Sequence, residues 1–391
     1  MAVNLTNADK ALKTYYLDAL SKQLDEVSPF YAMIKKTSNN VFGKEVKQLV
    51  SFGINGGIGA GTEEGSLPAS NGNKYQEFTS TLKNLYGTIE ITDKAIRASE
   101  NNAGAFVNLL NAEMDGLVKA GAFNLGRMLF GDGSGKIATV TSITKGIVVV
   151  DSVQNLKEGM LVDFRAADTG AILEGFGGRE IEIVDRISVA IKISGTAPTS
   201  TTVPENSIIT VQGSYNNEIT GLGAIFGTSP TLYGVSKATN LWLSPQITNN
   251  VGNISEIAMQ KALDKIEEYG GEACDIIVCS WGVRRALIKL LATNKRVLDT
   301  MELAGGYKAL SFNGIPVVAD RFCPKGNMYF LNTKDFTLNQ LCDWQWLTSD
   351  DGSVLKQVAG KPVYTATLVK YAELLCSRPY AQGLLKDIAE E

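Results

Sequence analysis

Residues 103–133 read AGAFVNLLNAEMDGLVKAGAFNLGRMLFGDG. Phe106, Leu110, Met114, Leu117, Gly121, Leu125 and Met128 recur at steps of three and four, which is the spacing of one face of an α-helix. At 1.5 Å per residue the helix is roughly 40 Å long, and Gly131-Asp132-Gly133 supplies its stop. Its apolar stripe must be covered, so the flanking text has to provide a second layer.

Upstream, from about Val41 to Ile91, the texture alternates. Val46-Lys47-Gln48-Leu49-Val50-Ser51-Phe52 stands on one side and Tyr75 to Ile91 on the other, around a tip holding Gly53, Gly56, Gly57, Gly59, Gly61, Gly65 and Gly72. The pattern predicts a long two-stranded hairpin with a flexible tip. A hairpin alone is marginal, so it needs a partner surface. Farther upstream, Leu12, Tyr16, Leu20 and Leu24 lie four apart, predicting an amphipathic helix over about Ala8 to Glu26 that ends before Pro29.

Downstream the period switches to two. Gly146-Ile147-Val148-Val149-Val150, Met160-Leu161-Val162-Asp163-Phe164, Glu180-Ile181-Glu182-Ile183-Val184 and Ser207-Ile208-Ile209-Thr210-Val211 are separated by turn-rich text, predicting a small barrel or sandwich over about Ile137 to Gln212. A helical pattern then opens at Asn253-Ile254-Ser255 and carries Ile257, Leu263 and Ile266 toward Gly270-Gly271. The strand Asp275-Ile276-Ile277-Val278-Cys279, a helix from about Trp281 to Leu291 and the strand Gly314-Ile315-Pro316-Val317-Val318 give an α/β layered unit. Strand texture returns around Tyr364 to Leu375.

The chain has 391 residues, 37 Lys and Arg, 41 Asp and Glu, five Cys and no His, for a net charge of −4. Without an imidazole, Ser-His-Asp and Cys-His catalysis and His ligation of zinc are excluded. The length predicts two or three domains. The near-neutral balance gives no reason to expect tight electrostatic binding to nucleic acid or to anionic membranes. Cys274, Cys279, Cys323, Cys342 and Cys376 are odd in number and widely spread, so free buried thiols are expected and not a disulfide framework. Neither a signal peptide nor a membrane span is expected.

Several short motifs mimic chemistry. Gly56-Gly57-Ile58-Gly59-Ala60-Gly61 places Thr62 where a dinucleotide fingerprint needs its third glycine, and Gly135-Lys136 is followed by Ile137 where a phosphate-binding loop needs Ser or Thr. Ser142 to Lys145 and Ser353 to Lys356 have Ser-Lys dyad spacing but lack the accompanying elements. Glu63-Glu64, Glu267-Glu268 and Asp350-Asp351 read as solvated surface, since neighbours in sequence diverge in space. Trp344 and Trp346, two apart on a strand, read as packing residues. No catalytic, cofactor-binding or metal-ligating residue is expected.

The order of elements resembles the tailed-bacteriophage major capsid proteins of the Hong Kong 97 fold. The text that carries the resemblance is Gly87-Thr88-Ile89-Glu90-Ile91-Thr92-Asp93-Lys94-Ala95-Ile96, the long helix ending in Leu129-Phe130-Gly131-Asp132-Gly133, Thr220-Gly221-Leu222 and Val283-Arg284-Arg285-Ala286-Leu287. It continues in Phe312-Asn313-Gly314-Ile315-Pro316-Val317-Val318-Ala319-Asp320 and Tyr371-Ala372-Glu373-Leu374-Leu375-Cys376-Ser377-Arg378-Pro379. The resemblance implies an α+β subunit with an N-terminal arm (1–40), an E-loop hairpin (41–90) and a peripheral domain with a spine helix (91–136). A connection (215–244), an axial domain (245–340) and a C-terminal return to the peripheral domain (341–391) follow. The segment 137–214 departs from the minimal family pattern, which implies an inserted β-barrel domain.

By the same resemblance the protein forms hexamers and pentamers of an icosahedral shell around double-stranded DNA. Portal and scaffolding proteins are its partners, packaged DNA is touched non-specifically, and the location is the virion after assembly in the host cytoplasm. Some relatives cross-link a Lys of the E-loop to an Asn of a neighbour beside a Glu. Lys74 and Lys83 occupy that region here, with no matching Asn or Glu identified, and no cross-link is expected. Two other classes stay open: an encapsulin-like bacterial compartment that packages protein cargo, and a carboxylate- or lysine-dependent enzyme.

Overall fold

The computed structural model describes residues 28–94, 103–293, 300–302, 308–348 and 352–391. The expected helix over Ala8 to Glu26 and the residues Ala95-Ile96 and Asp350-Asp351 lie outside the described residues. The long helix spans Ala103–Phe130, as its periodicity predicts. Its buried stripe of Met114, Val118, Ala122, Leu125 and Leu129 widens in the last turns, where Phe123 and Met128 are buried as well. Gly126 is the point of closest approach: a Cβ there would lie 2.3 Å from the Phe322 ring.

One layer against this helix is a sheet centred on Val363–Cys376. Phe336–Trp346 and Lys83–Thr92 both pair with it antiparallel, and Lys35–Thr37 adds a parallel edge. Trp344 and Trp346 are both buried in the core, as expected for residues two apart on a strand.

The hairpin differs from the sequence expectation. Glu45–Phe52 pairs with Lys74–Thr81 only, and the alternating text from Lys83 onward joins the central sheet instead. The chain changes sheets at Leu82, which is buried and donates its N–H to Lys44 O at 2.9 Å. Alternation runs unbroken through this point because both segments are half-buried strands, so period two alone does not reveal the change of partner.

A second sheet has seven strands, in the order Gln246–Thr248, Gly383–Leu385, Met328–Leu331, Ile276–Cys279, Ile315–Ala319, Lys308–Phe312 and Thr300–Glu302. Ile276 and Val278 face the core shared with the long helix, whereas Ile277 and Cys279 face the core under the helices Glu256–Gly270 and Trp281–Thr293. Burial on both faces explains the uninterrupted apolar run. Ser255 caps the first of these helices through Ala258 N, and Gly271, at φ 69°, ends it.

The C-terminal segment departs from the expected wholesale return to the first sheet. Val363–Cys376 belongs to that sheet, but Gly383–Leu385 inserts between Gln246–Thr248 and Met328–Leu331 of the second. An ionic joint holds the crossing. Asp335 accepts from Arg378 Nε at 2.7 Å and Gln382 Nε2 at 2.8 Å, while Arg378 also reaches Glu272 at 2.7 Å.

Residues Lys136–Thr144, Ile147–Val150, Leu161–Arg165, Arg179–Asp185, Ala190–Ile193 and Ile208–Val211 close into a six-stranded barrel. Four of its strands are the predicted ones. Lys136–Thr144 and Ala190–Ile193 are additional, the first masked by its Thr and Ser content. The barrel has its own core around Val140, Val148, Phe164, Ile181, Ile191 and Ile209.

Candidate assembly surfaces

The paired strands of the hairpin find their partner surface within the chain. Phe52 stacks on Trp242 with ring centroids 4.7 Å apart, and Phe78 contacts Tyr233 at 5.3 Å and Trp242 at 5.9 Å. Thr79 N also donates to Tyr233 O at 3.0 Å. The tip has no such support. Ile54, Ile58 and Leu67 are 89%, 89% and 91% exposed, and the hydrogen bonds of the tip are local, such as Gly65 N to Thr62 O and Asn55 to Asn73. Three exposed aliphatic side chains on a glycine-rich arm form an apolar surface of the kind that marks interaction sites.

The barrel is tied to the body where the chain enters and leaves it. Arg127, in the last turns of the long helix, makes two hydrogen bonds to Glu218 at 2.6 and 2.8 Å, both side chains being buried. Asn216 N donates to Ser134 O at 2.9 Å beside this pair. Inside the barrel, the Phe164 and Phe176 rings meet edge-on at 6.1 Å and are buried. Neither aromatic is therefore available as a platform for bases. Residues 134–216 expressed alone are expected to unfold cooperatively and to show no salt-sensitive binding to single- or double-stranded DNA. A binding isotherm that weakens steeply with salt contradicts this.

The central strand holds two buried ionisable groups. Lys370 Nζ donates to Gln340 Oε1 at 2.7 Å and Asp343 Oδ1 at 2.5 Å. Burial pulls its pKa down and Asp343 opposes that. Glu373 accepts from Thr220 N at 3.1 Å, and burial pushes its carboxyl up to about 7, against the lowering effects of Thr220, Lys83 and Ser80. Because the folded pKa lies above the ordinary 4.5, the folded chain holds a proton that the unfolded chain has lost in that window. The contribution of Glu373 to stability is complete below pH 4.5 and declines as pH rises through about 7. Glu373→Gln, which copies the protonated form, is expected to remove this decline. Urea midpoints at about pH 5 and about pH 8 should show wild type losing on the order of 3 kcal/mol relative to the variant. Parallel pH profiles contradict the assignment.

The motifs that mimic chemistry are not brought together into sites. Gly56 to Gly61 lie in the exposed loop between two hairpin strands, and Gly135-Lys136 leads from a helix into a strand, the reverse of a phosphate-binding loop. Ser142 and Lys145 are both exposed, and Glu63, Glu64, Glu267 and Glu268 are exposed on a loop and a helix. Lys74 stands exposed on the hairpin, whereas Lys83 is half-buried near Asn216 O. The five cysteines are free, and burial raises Cys274 and Cys279 to about 12, so neither is a ready thiolate. Among the described residues, no group of three or more His, Cys, Asp or Glu is placed to hold a metal, and no helix is long and apolar enough to cross a membrane. Sequence reasoning missed the Arg127–Glu218 pair. A charge within an apolar stripe was the available signal, but its partner lies 91 residues away.

No protein-family model and no curated protein matches the sequence. Solved structures do match. The capsid subunit of cyanophage A-1(L) is 13% identical, with 92% of each chain covered and a TM-score of 0.56. The capsid of a native GTA particle is 14% identical over 92% of this chain and 90% of that one, at 0.47. The holo-SrpI encapsulin complex from Synechococcus elongatus is 8% identical over 93% and 89%, also at 0.47. Over 92% of its length, this chain has the fold of a phage capsid subunit.

Proposed function

We propose that the protein is a major capsid protein of the Hong Kong 97 type that self-assembles, as hexamers and pentamers, into the icosahedral head shell around the double-stranded DNA of a tailed bacteriophage. The observation that carries this reading is the near-complete overlap with a phage capsid subunit. It is joined by a projecting arm whose aliphatic tip is buried by nothing among the described residues. In this reading the hairpin is the E-loop and Ala103–Phe130 the spine helix of a peripheral domain. The seven-stranded sheet is the axial domain and the barrel an inserted domain. The subunit works in the virion after assembly in the host cytoplasm, with portal and scaffolding proteins as partners and non-specific contact with packaged DNA. Its role is structural and not catalytic.

Electron microscopy of the purified protein under assembly conditions, with and without scaffold, tests the proposal. Closed shells are expected, and persistent monodisperse monomers refute it. Nuclease-protected DNA in particles from infected cells distinguishes a phage head from a compartment packed with protein cargo.

A further inference from the structure

Between the barrel and the start of the helix Trp281–Thr293 lies a cleft of about 380 Å³. Arg186, Arg285, Arg321 and Lys325 line it. Lys157 stands beside it, its ammonium 4.2 Å from the centre of the Phe123 ring, over which the Arg321 guanidinium also sits at 5.2 Å. Burial and the charges of Arg321 and Arg186 lower the Lys157 pKa, against the raising effect of Glu158. Among the described residues none of Lys157, Arg186, Arg321 and Lys325 forms an ion pair. The two acids that line the cleft are already engaged. Asp151 accepts from Thr139 N at 2.8 Å, and Glu390 accepts from Ser280 Oγ and from Gly326 N. Glu158 acts on Lys157 and Arg186, and Asp320 on Arg321, yet the cations crowd one cleft; such crowding raises the energy of the lone subunit, and an external anion relieves it.

The complementary feature is on the hairpin tip. Thr62 to Gly65 form a tight turn closed by Gly65 N to Thr62 O at 3.1 Å, with Glu63 and Glu64 exposed at its corner. No Lys or Arg occurs between Lys47 and Lys74, so the tip is purely anionic. Aliphatic side chains flank the carboxylates, Ile58 and Leu67, and apolar ones flank the cleft, Ile187 at 97% and Trp281 at 51% exposure. That Glu390 already sits in the cleft shows that it accommodates a carboxylate. Its volume of about 380 Å³ suits a peptide turn better than the extended groove that nucleic acid requires.

We infer that this cationic cleft is the seat for the Glu63-Glu64 turn of a second copy of the chain, with Arg186 and Arg321 as its principal counter-charges. The inference rests on the shell-forming reading above. The test is a charge swap in the full-length chain, with shell yield read by sedimentation and electron microscopy at low salt. The variants Glu63→Lys/Glu64→Lys and Arg186→Glu/Arg321→Glu should each lower the yield about tenfold, and the four substitutions together should return it to within about threefold of wild type. The neutral variants Arg186→Gln/Arg321→Gln and Glu63→Gln/Glu64→Gln should show smaller losses that no longer respond to salt. If wild type forms shells and the combined variant is as poor as the single sets, the seat is wrong and the capsid reading stands. If the cation variants assemble normally but retain less DNA, the cleft serves phosphates and the inference is overturned. If wild type forms no shells, both readings fall.

Discussion

Replacing Glu218 with alanine is expected to destabilise the subunit by about 3–5 kcal/mol, the usual cost of leaving one member of a buried ion pair unpaired. The Arg127 guanidinium is 4% exposed and would keep only Asn124 Oδ1, at 3.1 Å, among its present side-chain partners. The fall in the urea midpoint measures the loss. Replacing both partners, as Arg127→Met with Glu218→Leu, should recover most of it, because apolar groups of similar volume carry no desolvation penalty. A loss below about 1 kcal/mol for Glu218→Ala would place the pair among solvent-screened surface bridges. The effect should also spread to the barrel, since the pair joins the last turns of the long helix to the segment that leaves the barrel at Val211.

Deleting residues 55–73 is expected to leave a folded subunit but to reduce shell yield by more than about tenfold, since the deletion removes exposed interaction surface and almost no internal core. Phe52 already pairs with Lys74, so the shortened chain closes through Gly53-Ile54. Gly53 has φ 69°, and a two-residue loop with glycine first suits a hairpin turn of type II′. The aromatic anchor of Phe52 and Phe78 on Trp242 and Tyr233 stays in place. The unfolding midpoint should therefore shift by no more than surface changes usually produce, about 0.5 kcal/mol. Normal shells from the deletion variant would show that the arm is dispensable for assembly.

Two buried groups bear on how the subunit responds to its surroundings. Asp320 accepts from Ser28 Oγ at 2.7 Å and Phe322 N at 2.9 Å, and burial pushes its carboxyl up to about 6. Glu373 lies near 7 for the same reason. For both, the folded pKa exceeds the ordinary carboxylate value, so both favour the folded state more at acid pH than at neutral pH. They act in different places. Asp320 holds the start of the described N-terminal segment, and Glu373 holds Thr220, on the chain that returns from the barrel.

The sequence by itself determined the elements whose patterns are local. The spacing of Met114, Leu125 and Met128 is enough to place the long helix, because a stripe at steps of three and four has one stable conformation once it is covered. Ile276 to Cys279 read as a strand because both of its faces are buried. The barrel was legible from Val148, Val162, Ile181 and Ile209, each in an alternating run between turns, and the absence of histidine by itself removes most catalytic chemistry. Tertiary structure alone decided pairing. Whether Lys83–Thr92 continues the hairpin or crosses to Val363–Cys376, and whether Gly383–Leu385 lies in the first sheet or the second, depends on partners far away in sequence. Alternation is identical in either case. The same holds for Arg127 and Glu218, and for the cations that meet at the cleft. Burial of a charge and crowding of like charges are properties of a packed surface to which distant segments contribute, so no local pattern encodes them.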